Sequence, residues 1–233
     1  MSLFSNIIFS DAYRLFFPRI CPSCNNALIK EETYICLHCS LNLPLTNFES
    51  FRGNPVEQVF EGRVDLNFAT SLLFFSKHEG VQNIMHQIKY NNQKELAVYI
   101  GQLLGERLMT LHKQKKIDAI IPVPLHPKKQ HQRGYNQSEY IAQGINKVLN
   151  TKIINHYLIR KEYNSSQTKK NRMERWDNVA EVFQINSKTK IAGNHFLLVD
   201  DVLTTGATLE ACSVTLKNNL NCELSIATIC YAM

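Results

Sequence analysis

No stretch of about 18 uninterrupted apolar residues occurs in this sequence, the length a membrane-spanning helix needs, so membrane insertion is not expected. The first residues, MSLFSNIIFSDAYRLFF, lack a basic segment ahead of their apolar ones and carry Asp11 and Arg14. They do not read as a secretory signal, and a cytoplasmic address follows by default. The loops offer no obvious His–carboxylate dyad, which argues against chemistry that depends on one. Trp176 is the single tryptophan and reads as a packing anchor more readily than as a base-stacking platform. No DNA-reading helix is recognisable. Two common nucleotide loops are also missing: no Gly-Lys-Ser/Thr triplet closes a Walker loop, and no spaced glycines form a dinucleotide fingerprint.

What is present suits one α/β domain plus a small module, at 233 residues with 44% apolar content. The formal charge of +6 is unevenly spread: Lys113 to Arg175 holds 14 Lys/Arg against 4 Asp/Glu. Such a surplus suits a polyanionic partner, pyrophosphate or nucleic acid, or else forms a solvated basic surface.

The most informative stretch is Phe196 to Cys212, FLLVDDVLTTGATLEAC. Phe196 to Val199 are apolar without alternation, as in a strand covered on both faces of a parallel sheet. Asp200 and Asp201 follow, then a small-residue loop from Leu203 to Thr208. A helical pattern through Leu209, Cys212 and Leu216 comes next. Loops between such a strand and its helix sit where open α/β sheets bind ligands. Gly206 lets backbone approach a ligand, and free N–H groups at the helix start suit a phosphate. Thr204, Thr205 and Thr208 add hydroxyl donors. The carboxylates can accept from vicinal hydroxyls or hold Mg2+ through water. Together these describe a ribose-5-phosphate site; the plainer alternative is a strand–turn–helix with acidic turn residues.

Elsewhere, residues 5 to 17 predict a short amphipathic helix, ended by Pro18 and packed against the chain's own body. Cys21-Pro-Ser-Cys24, eleven residues, then Cys36-Leu-His-Cys39 match a four-cysteine site for a structural zinc ion. His38 lies within the second knuckle, but the paired spacing favours the cysteines. Disulfides are the alternative, disfavoured in a cytosolic chain. Cys212, Cys222 and Cys230 read as small buried hydrophobes. Residues 41 to 62 read as a connector with short turns. Strands are predicted at Phe68 to Phe75, Ile117 to Pro124, 153 to 160 and Leu224 to Tyr231. Helices are predicted through Val81, Ile84 and Ile88, from Gln93 to His112, and from Gln137 to Leu149 with Asn136 or Ser138 as cap. Between the second strand and the last of these helices lies a basic loop with Lys128, Lys129, His131 and Arg133, hinged at Gly134. If its strand is parallel to the one before Asp200, both loops share one sheet edge.

VDDVLTTGAT resembles the phosphoribosyl pyrophosphate (PRPP) motif of type I phosphoribosyltransferases. The resemblance implies that Asp200 and Asp201 bind the ribose 2- and 3-hydroxyls and that the loop, Leu203 to Thr208, binds the 5-phosphate. Purine-salvage members carry an Asp acting near the base where this sequence has Thr204, which disfavours that reaction. IPVPLHPKKQHQRGYNQSEYIA, Ile88-Lys89-Tyr90, Arg160, Ser166-Gln167-Thr168 and Arg175 to Val179 resemble segments of the ComF family, as does the four-cysteine module. The likeness covers nearly the whole chain. It implies a type I phosphoribosyltransferase fold over residues 51–233, behind an N-terminal helix and zinc-ribbon module over residues 1–50.

The implied activity is transfer of phosphoribose from PRPP, with Mg2+, to an acceptor the sequence does not name. Asp200, Asp201 and Arg133 would be its catalytic residues. Lys128, Arg133, Arg160 and Arg172 would hold pyrophosphate. A loop within Lys161 to Asn178 would close over the reaction centre, or else form a short surface helix. ComF proteins are associated with natural competence, which implies single-stranded DNA and a helicase-like protein as partners. A non-catalytic competence protein that retains the PRPP site is the alternative.

Overall fold

The computed structural model describes residues 17–75, 79–160 and 182–232. The predicted helix at 5 to 17 therefore falls almost wholly outside the described residues, as does the segment 161–181. Among the described residues no helix is long and apolar enough to cross a membrane.

The described residues open with the cysteine knuckles and a short helix α1 (Leu37–Leu41) that starts within the second of them. The predicted connector contains a 3-10 turn at Phe48–Ser50 and a helix α2 (Pro55–Phe60). Asn54 caps α2 by accepting from the N–H groups of Val56 and Glu57, and Pro55 sits at its first position. These are start signals that the connector reading passed over. Then come β1 (Ala69–Phe74), α3 (Glu79–Tyr90), α4 (Lys94–Gln114) and β2 (Ala119–Pro122). The basic loop after β2 is partly helical, α5 (Pro127–Arg133). His126 Nδ1 accepts the Lys128 N–H at its start, and Gly134 ends it at φ 78°. Helix α6 (Gln137–Leu149) follows, capped by Asn136.

The expected strand over 153 to 160 is broken in two. β3 (Lys152–Ile153) joins the main sheet; the chain then turns at His156, whose φ is 59°. β4 (Leu158–Arg160) pairs instead with β5 (Phe183–Ile185) in a separate antiparallel ribbon. A left-handed residue cannot continue a strand, so the apolar pattern was read across a corner. The chain ends with β6 (His195–Leu203), α7 (Ala207–Asn219) and β7 (Glu223–Tyr231).

The main sheet runs β1-β7-β6-β2-β3, and every pair in it is parallel. β6 lies at its centre, with Leu198 opposite Ile121 on one side and Ile226 on the other. Both faces are covered, which explains the unbroken apolar run. Leu197 and Val199 meet the layer of α3, α4 and α6, while Phe196 and Leu198 meet the layer of α2 and α7. Each of these side chains is at most 1% exposed, and burying one contributes about 1.5–3 kcal/mol. α4 and α6 touch backbone to backbone. A Cβ at Gly144 would lie 2.1 Å from the Val98 carbonyl oxygen, so no larger residue fits without parting the helices.

This topology positions the site. From β2 the chain passes through α6 to β3 on one side, and from β6 through α7 to β7 on the other. Connections that diverge leave a crevice at the carboxyl ends of β2 and β6.

Candidate functional site

Asp200 and Asp201 belong to the carboxyl end of β6, within the strand rather than in the loop after it. Asp200 Oδ1 accepts the Ser138 hydroxyl at 3.0 Å and the Asp201 N–H at 2.8 Å. Asp201 Oδ2 meets Lys89 Nζ at 3.2 Å. Burial, and secondarily the charge of Asp201, push the Asp200 carboxyl up to about 7; the Asp201 N–H, Ser138 and Lys89 pull the other way. Near neutral pH the Asp200 carboxyl is thus only partly ionised.

Leu203 is buried and ends β6, so its side chain belongs to the core. Gly206 stands at φ 80°, and a Cβ there would lie 2.6 Å from Val59 Cγ1 on α2. Position 206 thus needs glycine twice, for its conformation and for the helix behind it. Gly206 offers α7 no capping side chain. The Ala207 N–H points to the Thr205 hydroxyl at 3.5 Å, and the N–H groups of Thr208 and Leu209 are left to an outside acceptor, with the helix dipole behind them. Thr204 and Thr205 are exposed and Thr208 is half-buried.

Across the crevice stand cations. A cleft of 370 Å³ is lined by Asp200, Asp201, Thr204 and Thr208 together with Lys89, Lys129, Arg133, Arg160 and Ser138. Arg133 donates to Gln137 Oε1 at 3.0 Å and lies 5.5 Å above the Tyr90 ring. Arg160 lies 5.5 Å above the Phe183 ring, which fixes it at the start of the β4–β5 ribbon. Clefts of 630 and 610 Å³ exist elsewhere, along Phe48 to Gln114 and Arg52 to Leu66. Neither is lined by Asp200, Asp201 or the start of α7, so the chemistry, and not the volume, selects the smaller cleft.

Of the residues expected from sequence, Asp200, Asp201, Thr204, Thr208, Arg133 and Arg160 come together in this cleft. Lys128, exposed on α5, does not line it, nor do Leu203, Thr205, Gly206 or Ala207. Arg172 lies outside the described residues. The sequence reading missed Lys89, Lys129 and Ser138 as cleft residues. Lys89 follows the last apolar position of α3, Ile88, and only the segment Ile88 to Tyr90 had pointed to it.

The four cysteines also converge. The Sγ atoms of Cys21, Cys24, Cys36 and Cys39 all lie within 4.8 Å of one another, a group suited to a metal ion. The Cys36 N–H points to Cys21 Sγ at 3.4 Å and the Cys39 N–H to Cys36 Sγ at 3.5 Å. Burial opposes ionisation of Cys21, yet N–H groups of Cys36, Cys24 and Ser23 outweigh it and bring the thiol down to about 7. Four converging sulfurs with N–H support fit a closed tetrahedral site. The knuckle rests on α3: Asn83 Nδ2 donates to the Ser23 carbonyl at 3.2 Å, and a Cβ at Gly80 would meet Ser23 Oγ at 2.4 Å. Cys21, Ile35 and Cys36 share the core of the α3–α4–α6 layer.

A phosphoribosyl transferase domain family matches residues 136–233, from the cap of α6 onward. Competence protein F of Haemophilus influenzae is 27% identical over 202 residues, 85% of this chain and 84% of that one. DNA utilization protein YhgH of Escherichia coli K12 is 26% identical over 152 residues, 63% of this chain and 65% of its own length. Competence protein ComFC of Bacillus subtilis is 23% identical over 195 residues, 82% of this chain and 75% of that one. The chain is thus similar over most of its length to proteins of the ComF type, and its parallel sheet and four-cysteine cluster accompany that likeness.

Proposed function

We propose that the protein binds PRPP with Mg2+ and transfers its phosphoribosyl group, releasing pyrophosphate. The observation that carries this reading is the opposition, across one cleft, of the Asp200–Asp201 pair and the cations Arg133, Lys129 and Arg160. The carboxylates suit the ribose diol. Thr204, Thr208 and the open N-terminus of α7 suit the 5-phosphate, and the cations suit the pyrophosphate. Asp200 and Asp201 would hold Mg2+ through water, and the ion would supply charge neutralisation of the phosphates. The C1–oxygen bond to pyrophosphate breaks, the leaving group keeps its electrons, and an acceptor lone pair forms the new bond at C1. The acceptor's proton is released to water. Positioning and charge stabilisation dominate such a step, so little acid–base machinery is needed.

Zinc is proposed for the four cysteines, as a structural ion, and residues 1–50 and 51–233 are proposed as the metal module and the transferase-like domain. The relatives' names, competence protein and DNA utilization protein, support a role in DNA uptake, and a cytoplasmic location is proposed with it. A second reading, a non-catalytic binder of single-stranded DNA and a helicase-like partner, draws on exposed Lys128, Lys129 and His131 along α5 beside the cleft.

Incubation with PRPP, Mg2+ and a panel of bases, amines and single-stranded DNA, scored by pyrophosphate release, separates the two. Release that depends on one acceptor supports transfer. No release, with DNA affinity falling steeply as salt rises, supports the binding role.

A further inference from the structure

Among the described residues, Lys89 is the one cleft cation already engaged with the acidic pair, through Asp201 Oδ2 at 3.2 Å. The pair is sheltered, with side-chain exposures of 22% and 16%, so solvent screens it only in part. The backbone beneath Lys89 is held in place. The Tyr135 hydroxyl donates to the Ile88 carbonyl oxygen, and Tyr135 is buried against the ring of Tyr140. Tyr90, the next residue, lies under the Arg133 guanidinium. Lys89 is therefore a flexible stem on a fixed root, beside the cations Arg133, Lys129 and Arg160 that line the same cleft.

A ribose diol at this pair meets carboxylate oxygens that are already partly occupied. Asp200 Oδ1 is taken by Ser138 and the Asp201 N–H, and Asp201 Oδ2 by Lys89. A diol drawing on Asp201 Oδ2 competes with Lys89, and a ligand with no anion at C1 gives the displaced ammonium no new partner. A ligand that adds a pyrophosphate at C1 gives the displaced ammonium a new one. Resting on the PRPP reading of this cleft, we propose that Lys89 is its specificity-determining residue. It is latched on Asp201 in the free protein and transferred to the pyrophosphate on binding. The latch makes the site select a 1-pyrophosphorylated pentose phosphate over the bare pentose phosphate.

Calorimetric titration of the full chain at saturating Mg2+ tests this, with PRPP and ribose 5-phosphate as the two ligands. Wild type is expected to prefer PRPP. In Lys89→Met, PRPP affinity should fall by about thirtyfold or more, while ribose 5-phosphate affinity stays level or improves a few-fold because Asp201 is unlatched. Retained ribose 5-phosphate binding also certifies that the variant is folded. Lys89→Arg should keep the preference for PRPP. An unchanged preference in Lys89→Met overturns the assignment, and so does equal loss of both ligands, since a pyrophosphate-directed cation would spare the bare sugar phosphate. Wild type that binds neither ligand overturns the PRPP reading itself, and the latch with it.

Discussion

Ser138 Oγ donates to Asp200 Oδ1 at 3.0 Å, and that bond joins the first turn of α6 to the last residues of β6. It is where the two strand–loop–helix units meet. The bond favours the ionised carboxylate, so its loss should leave burial opposed only by the Asp201 N–H and Lys89. Ser138→Ala is expected to raise the Asp200 pKa further and to weaken PRPP binding near pH 7 by about tenfold. The loss should shrink above pH 8, where the carboxyl ionises regardless. Affinity measured across pH in both proteins checks this.

Asp200, pushed up to about 7, also gives the protein a pH signature. Its folded pKa lies above the ordinary carboxylate value of 3.8, so the native state binds more protons than the unfolded chain between those values. Its contribution therefore makes stability fall as pH rises from about 4 to 7. Asp200→Asn should be more stable than wild type at pH 8, by roughly 1–3 kcal/mol, and near parity below pH 4. Urea unfolding at both pH values reads the difference.

The cysteine cluster carries a prediction about α3. Purified protein should hold about one zinc per chain, and Cys36→Ser should lose it. Because Ser23 braces Gly80 and Asn83 on α3, the loss should lower the melting temperature by roughly 5 °C or more. Metal analysis with thermal melts tests both halves.

Gly206→Ala should destabilise the protein by about 1–3 kcal/mol and weaken PRPP binding, because the left-handed backbone and Val59 both oppose a Cβ. Adding Val59→Ala removes the clash but not the backbone strain. The double variant should recover part of the stability, as measured by denaturant titration.

Much of this was legible in the sequence because it was local. The run Phe196 to Val199 announced a doubly covered strand, and paired CxxC knuckles announced converging sulfurs. Asp200, Asp201, Thr204 and Thr208 were readable as one constellation because they lie within nine residues of each other. What escaped depends on turns and on long-range approach. The strand across 153 to 160 broke because His156 takes a left-handed conformation that its residue type does not announce. The loop after β2 became helix because His126 served as an unusual cap. Lys89 was not assigned to the site because it and Asp201 are 112 positions apart and meet only when α3 crosses the sheet edge. Lys129 faces the cleft and Lys128 does not, a distinction set by the turn of α5 rather than by residue type.

The central claim is that Asp200 and Asp201 hold the ribose of PRPP. Calorimetric titration of wild type and Asp200→Asn/Asp201→Asn with PRPP and Mg2+ tests it most directly. Wild type should bind, and the double variant should lose about a hundredfold or more in affinity while keeping its fold. Unchanged affinity in a folded double variant would contradict the account.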